Sequence, residues 1–370
     1  MGEIRVRAAL EDFFDRFLGR GDAAITVPPF DGPLKPNQLL EHAEVVGEFA
    51  EPEDLAVVNG ALYLADGSVL RRIEGSSSRE VRRFDRPVTA LAALPGGGLA
   101  VALGGTEIEV LAAAEGTGAG KAISGGGMTA VNALAAGPDG TLLATDGSAD
   151  EPYLEWARDL LDRGRSGRLL SIDLATSEIK VRASGLQYAF GVAAVGHDAL
   201  VSESWRHRLV TVAADGKVRP VFDQLPVYPS RIAPAADGGF WLTAFTARTQ
   251  LFEFILRESG YRKRMMKEVP PEFWVVPRLR SGASFREPMQ GAHLKTMGVV
   301  KPWAPPRSYG LVIRLAADFS PLFSFHSRVD GENHGVVAVA ELDGALYVLA
   351  KGPKRLLRLS ISQAKEALAQ

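Results

Sequence analysis

The sequence predicts an all-β fold, a six-bladed β-propeller, because one short unit recurs six times along the chain. In each copy an alternating apolar segment leads into a tight turn, and a second apolar segment follows. Such segments bury one face of a strand, and Asp-Gly or Asn-Gly turns supply the positive φ angles of a hairpin. The copies are EDLAVVNGALYLAD from 53, VTALAALPGGGLAVAL from 88, VNALAAGPDGTLLATD from 131, FGVAAVGHDALVSES from 190, RIAPAADGGFWLTA from 231 and GVVAVAELDGALYVLA from 335.

The spacing of the turns supports a ring of blades. Where nothing is inserted, successive turns are separated by roughly 40 residues, the length of one propeller blade. Several copies continue into a further strand, such as SVLRRIEG or GRLLSIDLATSE, which indicates three to four strands per unit. A closed ring leaves a tunnel lined by the first strand of each blade, so first-strand residues are the candidate functional residues. The turn residues are Gly60, Gly98, Gly140, Asp198, Gly238 and Gly344.

Other segments interrupt or precede this repeat. Residues 1–40 are predicted to form an N-terminal helix and a lead-in segment, and residues 41–370 the propeller. The helix docks on the propeller or lies on a membrane surface. Two insertions, about 147–166 in blade three and 246–308 in blade five, are predicted to be helical, the second also rich in proline. The second acts as a lid, as a binding loop or as a structural collar.

Composition excludes several classes of protein. The net charge is −2, so the chain has no basic surplus for general nucleic-acid binding. It contains no cysteine, which excludes a disulfide scaffold, a thiolate metal site and a cysteine nucleophile. No stretch reaches the roughly 18 apolar residues of a membrane span, and the N-terminus lacks the pattern of a secretory signal. We therefore expect a cytoplasmic protein without a transmembrane segment.

Several motifs, in their order and spacing, resemble the strictosidine synthase-like branch of six-bladed propellers, which is related to paraoxonase and gluconolactonase. The resemblance extends from about residue 27 to about residue 360. The motifs are VPPFDGPLKPN, EPEDLAV, VNALAAGPDGTLLATD, YAFGVA with VSESWRHRL, LPVYPSRI with GGFWLTA, and LDGALYV.

The resemblance implies a calcium site that this sequence has largely lost. Four tunnel-facing ligands hold the cation in related lactonases; Glu53 matches the first and Asn132 the second. The third falls on Phe190 and the fourth on Ser230 and Arg231, which cannot complete a site of six to eight oxygens. We expect no cofactor, with calcium as the alternative. Our hypothesis is that the guanidinium of Arg231 takes the cation position and pairs with Glu53; otherwise it turns to solvent.

The reaction that gives the family its name is not expected here. It relies on a glutamate in blade six, and an ungapped count places Val337 at that position. Glu332 lies five residues upstream and matches only if the alignment is shifted.

Two functions remain open. One is a lactone or ester hydrolase, with Glu53 or His334 activating water. The other is a non-catalytic propeller that binds a small molecule or a protein partner, with Arg231 holding an anion. A buried contact between Glu53 and a histidine favours the enzyme, whereas a pair between Glu53 and Arg231 with Phe190 plugging the tunnel favours the binder. The expected ligand-binding residues are Asn132, Tyr188, Phe190, Ser230, Arg231 and Glu332. His207 is expected to face solvent.

Overall fold

The computed structural model describes residues 26–116, 118–282, 287 and 308–369. Their strands form six four-stranded sheets in which neighbouring strands are antiparallel, so the predicted six-bladed propeller is confirmed. The predicted N-terminal helix lies outside the described residues. Within the described part of the chain, no helix has both the length and the apolar character needed to cross a membrane.

The first five blades each use four consecutive strands. Blade one contains β2 (Pro52–Val58), β3 (Ala61–Asp66), β4 (Val69–Glu74) and β5 (Ser77–Arg83), and blade two contains β6 (Val88–Ala93), β7 (Leu99–Leu103), β8 (Glu107–Leu111) and β9 (Lys121–Ser124). Blade three contains β10 (Val131–Ala136), β11 (Thr141–Asp146), β12 (Gly167–Asp173) and β13 (Ile179–Leu186), and blade four contains β14 (Ala189–Val195), β15 (Asp198–Glu203), β16 (Arg208–Val212) and β17 (Val218–Phe222). Blade five contains β18 (Val227–Pro234), β19 (Phe240–Ala247), β20 (Ser308–Leu315) and β21 (Pro321–Ser327).

The sixth blade joins the two ends of the propeller. It contains β22 (Val336–Leu342), β23 (Ala345–Ala350) and β24 (Arg355–Ser360), and β1 (Glu44–Glu48) pairs with β24 as its outermost strand. This pairing closes the ring with backbone hydrogen bonds between distant parts of the chain. The hairpin repeat did not predict β1, since the first visible copy begins at residue 53.

The core lies between neighbouring sheets, where small and branched side chains interdigitate. The facing sheets of blades two and three, for example, bury Ala100, Ile108, Leu142 and Leu170 completely. Close approach between innermost strands also fixes one glycine. A Cβ at Gly191 on β14 would lie 2.4 Å from the carbonyl oxygen of Ser230 on β18. Any side chain there would push blades four and five apart.

Both insertions leave the propeller at the same end. The first joins β11 to β12 and contains α1 (Trp156–Asp162). The second joins β19 to β20 and contains α2 (Gln250–Arg257) and α3 (Ser259–Glu268), where the sequence predicted a single helix. The break is at Glu258, whose ψ of 78° is not helical. Turns between second and third strands lie at the end where the innermost strands begin, so both insertions border that end of the tunnel. A short helix, α4 (Ile361–Ala369), ends the described chain.

Candidate functional site at the propeller throat

Every innermost strand carries a β-bulge close to its start. The register against the second strand shifts at the second residue of β2, β6, β10 and β22, and over two residues in β14 and β18. A bulge leaves a residue unpaired and redirects its side chain. The residues at these bulges form a ring at the throat of the tunnel, which we call the bulge ring: Glu53, Thr89, Asn132, Phe190, Arg231 and Val337.

Arg231 occupies the centre of the bulge ring and contacts all five other blades. Its guanidinium donates to the carbonyl oxygens of Glu53 at 2.9 Å, Thr89 at 2.6 Å, Asn132 at 3.0 Å and Val337 at 3.5 Å. The carbon at the centre of the guanidinium lies 5.4 Å from the centroid of the Phe190 ring. Arg231 is only 5% exposed. One side chain therefore ties the ring of blades together at its axis.

Two carboxylates complete the surroundings of this guanidinium. Arg231 Nη2 lies 3.4 Å from Glu53 Oε1, and Arg231 Nε lies 3.3 Å from Asp54 Oδ2. Burial acts to lower the pKa of Arg231, but Asp54, Tyr153 and Glu53 outweigh it and raise the pKa above its usual value. The hypothesised pair between Arg231 and Glu53 is therefore present, and the alternative of a solvent-facing Arg231 is wrong.

A cavity of about 60 Å³ lies on one side of the bulge ring, at the starts of the innermost strands. The polar side chains in its lining include Glu53, Asn132, Tyr153 and Lys351. The Tyr188 ring stacks on Trp205, with centroids 4.3 Å apart. The remaining walls are largely apolar: Leu154, Trp156, Tyr188, Phe190, Trp205, Phe245, Leu279 and Val337.

The Glu53 carboxylate is already surrounded by donors. Oε1 accepts from the Tyr153 hydroxyl and from Arg231, while Oε2 accepts from the Lys351 ammonium. Burial acts to raise the pKa of Glu53, but Lys351 and Arg231 outweigh it, and the pKa lies below its usual value. Burial and the adjacent carboxylate raise the pKa of Tyr153 well above its usual value, so its hydroxyl remains a donor. Glu53 is therefore a stable anion and a weak base.

Asn132 has one buried acceptor without a hydrogen-bond donor. Its Nδ2 donates to the carbonyl oxygen of Ala189 at 2.9 Å, but its Oδ1 has no hydrogen-bond partner, although the residue is fully buried. An unsatisfied buried acceptor costs free energy, so a donor supplied by a ligand would stabilise it.

The residues at the throat do not fit a calcium ion. The positive charge between Glu53 and Asn132 is the guanidinium of Arg231, which a divalent cation would have to displace. Among residues 26–116, 118–282, 287 and 308–369, no group of three or more histidine, aspartate or glutamate side chains is arranged to hold a metal. The oxygens nearest this position, from the carboxylates of Glu53 and Asp54 and from four backbone carbonyls, already face the guanidinium.

Besides Arg231, which lies in the bulge ring, three of the expected site residues do not line the cavity. His334 is buried, and its two ring nitrogens hydrogen-bond Ser308 Oγ and the carbonyl oxygen of Arg328, both at 2.7 Å. Ser230 Oγ contacts Thr243 Oγ1 at 2.7 Å. Glu332 is exposed and pairs with Arg355 at 3.2 Å. The ring nitrogens of His334 thus bond to blade five and the loop after it, whereas the Glu53 carboxylate bonds to Tyr153, Arg231 and Lys351.

Comparison with known proteins finds similarity to strictosidine synthase-like proteins. A family model described as strictosidine synthase-like, N-terminal, matches residues 32–72. The adipocyte plasma membrane-associated protein of Mus musculus is 28% identical over 278 residues, which cover 65% of each chain. The match thus spans slightly less than two thirds of the mouse protein. The strictosidine synthase-like 4 protein of Arabidopsis thaliana is 24% identical over 276 residues, covering 68% of this chain and 72% of that protein.

The chain is a six-bladed propeller with similarity to strictosidine synthase-like proteins. A gluconolactonase from Xanthomonas campestris has a similar fold, with a TM-score of 0.52 over 85% of this chain and 88% of that one. Its sequence identity to this chain is 13%, so this likeness concerns the fold alone.

Sequence reasoning missed two polar residues of the cavity. Tyr153 lies in the blade-three insertion and Lys351 in the turn after β23, and neither belongs to a first strand. A charged residue directly after the apolar ALYVLA was the available signal for Lys351. His207 was expected to face solvent, but it is buried, with Nε2 3.4 Å from Glu253 Oε1. A 3-10 turn over Ser204–Arg206 breaks the strand alternation just before it.

Proposed function

We propose that this chain is a small-molecule-binding propeller that works without a metal ion and without catalysis, with its ligand at the cavity beside Glu53. The observation that carries the proposal is the guanidinium of Arg231 between Glu53 and Asn132. It supplies the positive charge that the two acidic side chains of the throat require, and it offers no open coordination position to a substrate.

Arg231 does not bind the ligand in this proposal. An anion held by Arg231 was part of the binding hypothesis, but the guanidinium already donates to four carbonyl oxygens and faces two carboxylates. A ligand anion would have to break these hydrogen bonds inside the throat. The proposal therefore places no anion at Arg231.

The walls of the cavity support an apolar ligand with a hydroxyl group. Aromatic rings provide apolar surface, Asn132 Oδ1 can accept one hydrogen bond, and Lys351 is a nearby donor. The cavity of about 60 Å³ takes only a small group, so a larger ligand must displace the side chain of Leu154 or Leu279. Leu154 is 80% exposed and has room to move.

Hydrolysis of a lactone or ester is the second candidate. A carboxylate, a phenol and an ammonium group around one cavity are groups that can move protons or stabilise an oxyanion. Against it, Glu53 has a lowered pKa and three donors, and both nitrogens of His334 are engaged. Among the described residues that line the cavity, Glu53 is the only carboxylate and no histidine is present.

The test uses chelator-treated protein and follows tryptophan fluorescence, because Trp156 and Trp205 line the cavity. We expect benzyl alcohol to change the emission saturably, and Asn132→Ala to weaken this response at least tenfold. Thr89→Ala is the matched control, since Thr89 is also a bulge residue but does not line the cavity. Calcium should leave the thermal midpoint unchanged.

Two results would reject the proposal. A calcium-dependent rise of the thermal midpoint that Glu53→Gln abolishes would show that the throat holds a metal. Turnover of phenyl acetate or δ-valerolactone that Glu53→Gln abolishes would favour the hydrolase.

A further inference from the structure

Two further pockets lie between blades three, four and five, beside the aromatic wall of the cavity that contains Glu53. One is a cleft of about 480 Å³ and the other a pocket of about 170 Å³. Both are lined by Arg163 and Arg257, so they adjoin each other. Trp205 separates the smaller pocket from the cavity beside Glu53, because it lines both. We call the two together the arginine cleft.

The charges of the arginine cleft are unusual for a chain with a net charge of −2. Among the described residues that line it are six arginines and no lysine. Four acids also line it, but Glu253 is buried and engaged by Arg248 at 3.1 Å and by His207 at 3.4 Å. The arginines are Arg163, Arg165, Arg206, Arg208, Arg257 and Arg262, and the acids are Asp162, Asp223, Glu253 and Glu258.

Arginine is the side chain best suited to phosphate. Its planar guanidinium donates two parallel hydrogen bonds to one phosphate or carboxylate group, which lysine cannot do. The start of a helix also favours an anion in this cleft. Ser259, the first residue of the ten-residue helix α3, lines the larger pocket. Backbone N–H groups at a helix N-terminus favour an anion.

Three separate parts of the chain build the arginine cleft. Arg163 and Arg165 follow α1 in the blade-three insertion, Arg206 and Arg208 flank the start of β16, and Arg257 and Arg262 belong to the two helices of the blade-five insertion. Arg262 is 7% exposed although it is charged. Arg208 already pairs with Glu203 at 2.5 Å, but a guanidinium carries five N–H donors, so an arginine paired with an acid can still donate to a bound anion.

We propose that the arginine cleft binds a small ligand carrying two or more phosphate groups, at a site separate from the cavity beside Glu53. The pockets are concave and bordered by three elements, which favours a compact anion over an extended polymer. Two sources share this chemistry, a soluble phosphate ester and the headgroup of an anionic lipid.

The experiment titrates the whole chain with sodium pyrophosphate against sodium chloride of equal ionic strength, by calorimetry and by thermal midpoint. We expect saturable binding that raises the midpoint beyond the chloride control. The double variant Arg163→Gln with Arg257→Gln should bind at least tenfold more weakly, because it removes the two arginines shared by both pockets. Arg72→Gln with Arg79→Gln is the matched control, since it removes two arginines of blade one that pair with Glu115.

A midpoint that follows ionic strength alone, or equal affinity in wild type and the cleft variant, would overturn the proposal. If the double variant does not fold, Arg165→Gln carries the test, since Arg165 is exposed. A weakening of threefold or more is then expected, and unchanged affinity rejects the site. Vesicles containing phosphatidic acid identify the source: binding that pyrophosphate displaces assigns the site to a lipid headgroup, and pyrophosphate binding without vesicle binding assigns it to a soluble ligand.

Discussion

The two sides of the bulge ring differ sharply although the same six strands build both. On the side where the strands begin, the tunnel is a cavity of about 60 Å³ with aromatic walls and four polar residues. On the other side it is a channel of about 440 Å³ to which every blade contributes at least one alanine. Chemical variety is concentrated at one position of each strand, the bulge, and the rest of the strand keeps the channel open.

Glu53 and Asp54 show this contrast in two neighbouring residues. Glu53 lines the cavity and Asp54 lines the channel, and both lie within 3.5 Å of Arg231. Lys351 and Arg231 outweigh burial at Glu53, and its pKa is lowered. Burial dominates at Asp54, and its pKa is raised to about 6 despite Arg231. Glu53 has two further donors, the Lys351 ammonium and the Tyr153 hydroxyl, whereas the charge of Glu53 itself acts to raise the pKa of Asp54.

Removing the Arg231 guanidinium, which separates the two sides of the bulge ring, should have the largest effect on the free energy of unfolding. Arg231→Met leaves the buried Asp54 carboxylate without its cation, leaves Glu53 with Lys351 alone and removes the donor from four carbonyl oxygens, so we expect a loss of about 3–5 kcal/mol in the free energy of unfolding. Urea unfolding measures it. Arg358→Met, which removes an exposed arginine paired with Glu44, should stay within about 0.5 kcal/mol of wild type. A cost below about 1 kcal/mol for Arg231→Met would mean that the throat does not depend on this residue.

The opposite pKa shifts of Asp54 and Glu53 predict opposite dependences on pH. A carboxyl with a raised folded-state pKa binds more protons in the folded than in the unfolded state, so its contribution to stability falls as pH rises. For Asp54 the fall extends from its unfolded pKa of 3.8 to about 6. The stability of wild type relative to Asp54→Asn should therefore fall by roughly 1–3 kcal/mol between pH 4 and pH 7.

Glu53→Gln is the matched comparison for that experiment. The lowered folded-state pKa of Glu53 contributes stability that is present above its unfolded pKa of 4.5 and is lost as pH falls below it. Relative to Glu53→Gln, the wild type should therefore be flat between pH 5 and pH 7. Chemical unfolding across this range measures both differences. Parallel curves for the two variants would contradict the contrast between the two sides of the bulge ring.

The fold was predictable because each blade repeats one local sequence pattern. The site was only partly predictable, because some of its side chains come from segments outside that pattern. Glu53, Asn132 and Arg231 were found because they lie on first strands, at bulges that the resemblance to related propellers places at the tunnel. Tyr153 and Lys351 reach the same cavity from turns between second and third strands, and no periodicity marks them. His334 lies close to the start of β22 in sequence, but Ser308 and Arg328 hold its ring away from the cavity.

We expect the smallest change in the free energy of unfolding when an alanine of the channel is enlarged. Ala135 lines the channel and is half-buried, whereas Ala144 on the next strand is fully buried between sheets. Ala135→Val adds two methyl groups to an open space and a residue that favours strands, so the free energy of unfolding should change by less than about 0.5 kcal/mol. Ala144→Val overpacks a closed core and should cost about 1–3 kcal/mol. Thermal unfolding of the two variants compares them directly, and equal costs would mean that the channel wall is as tightly packed as the core.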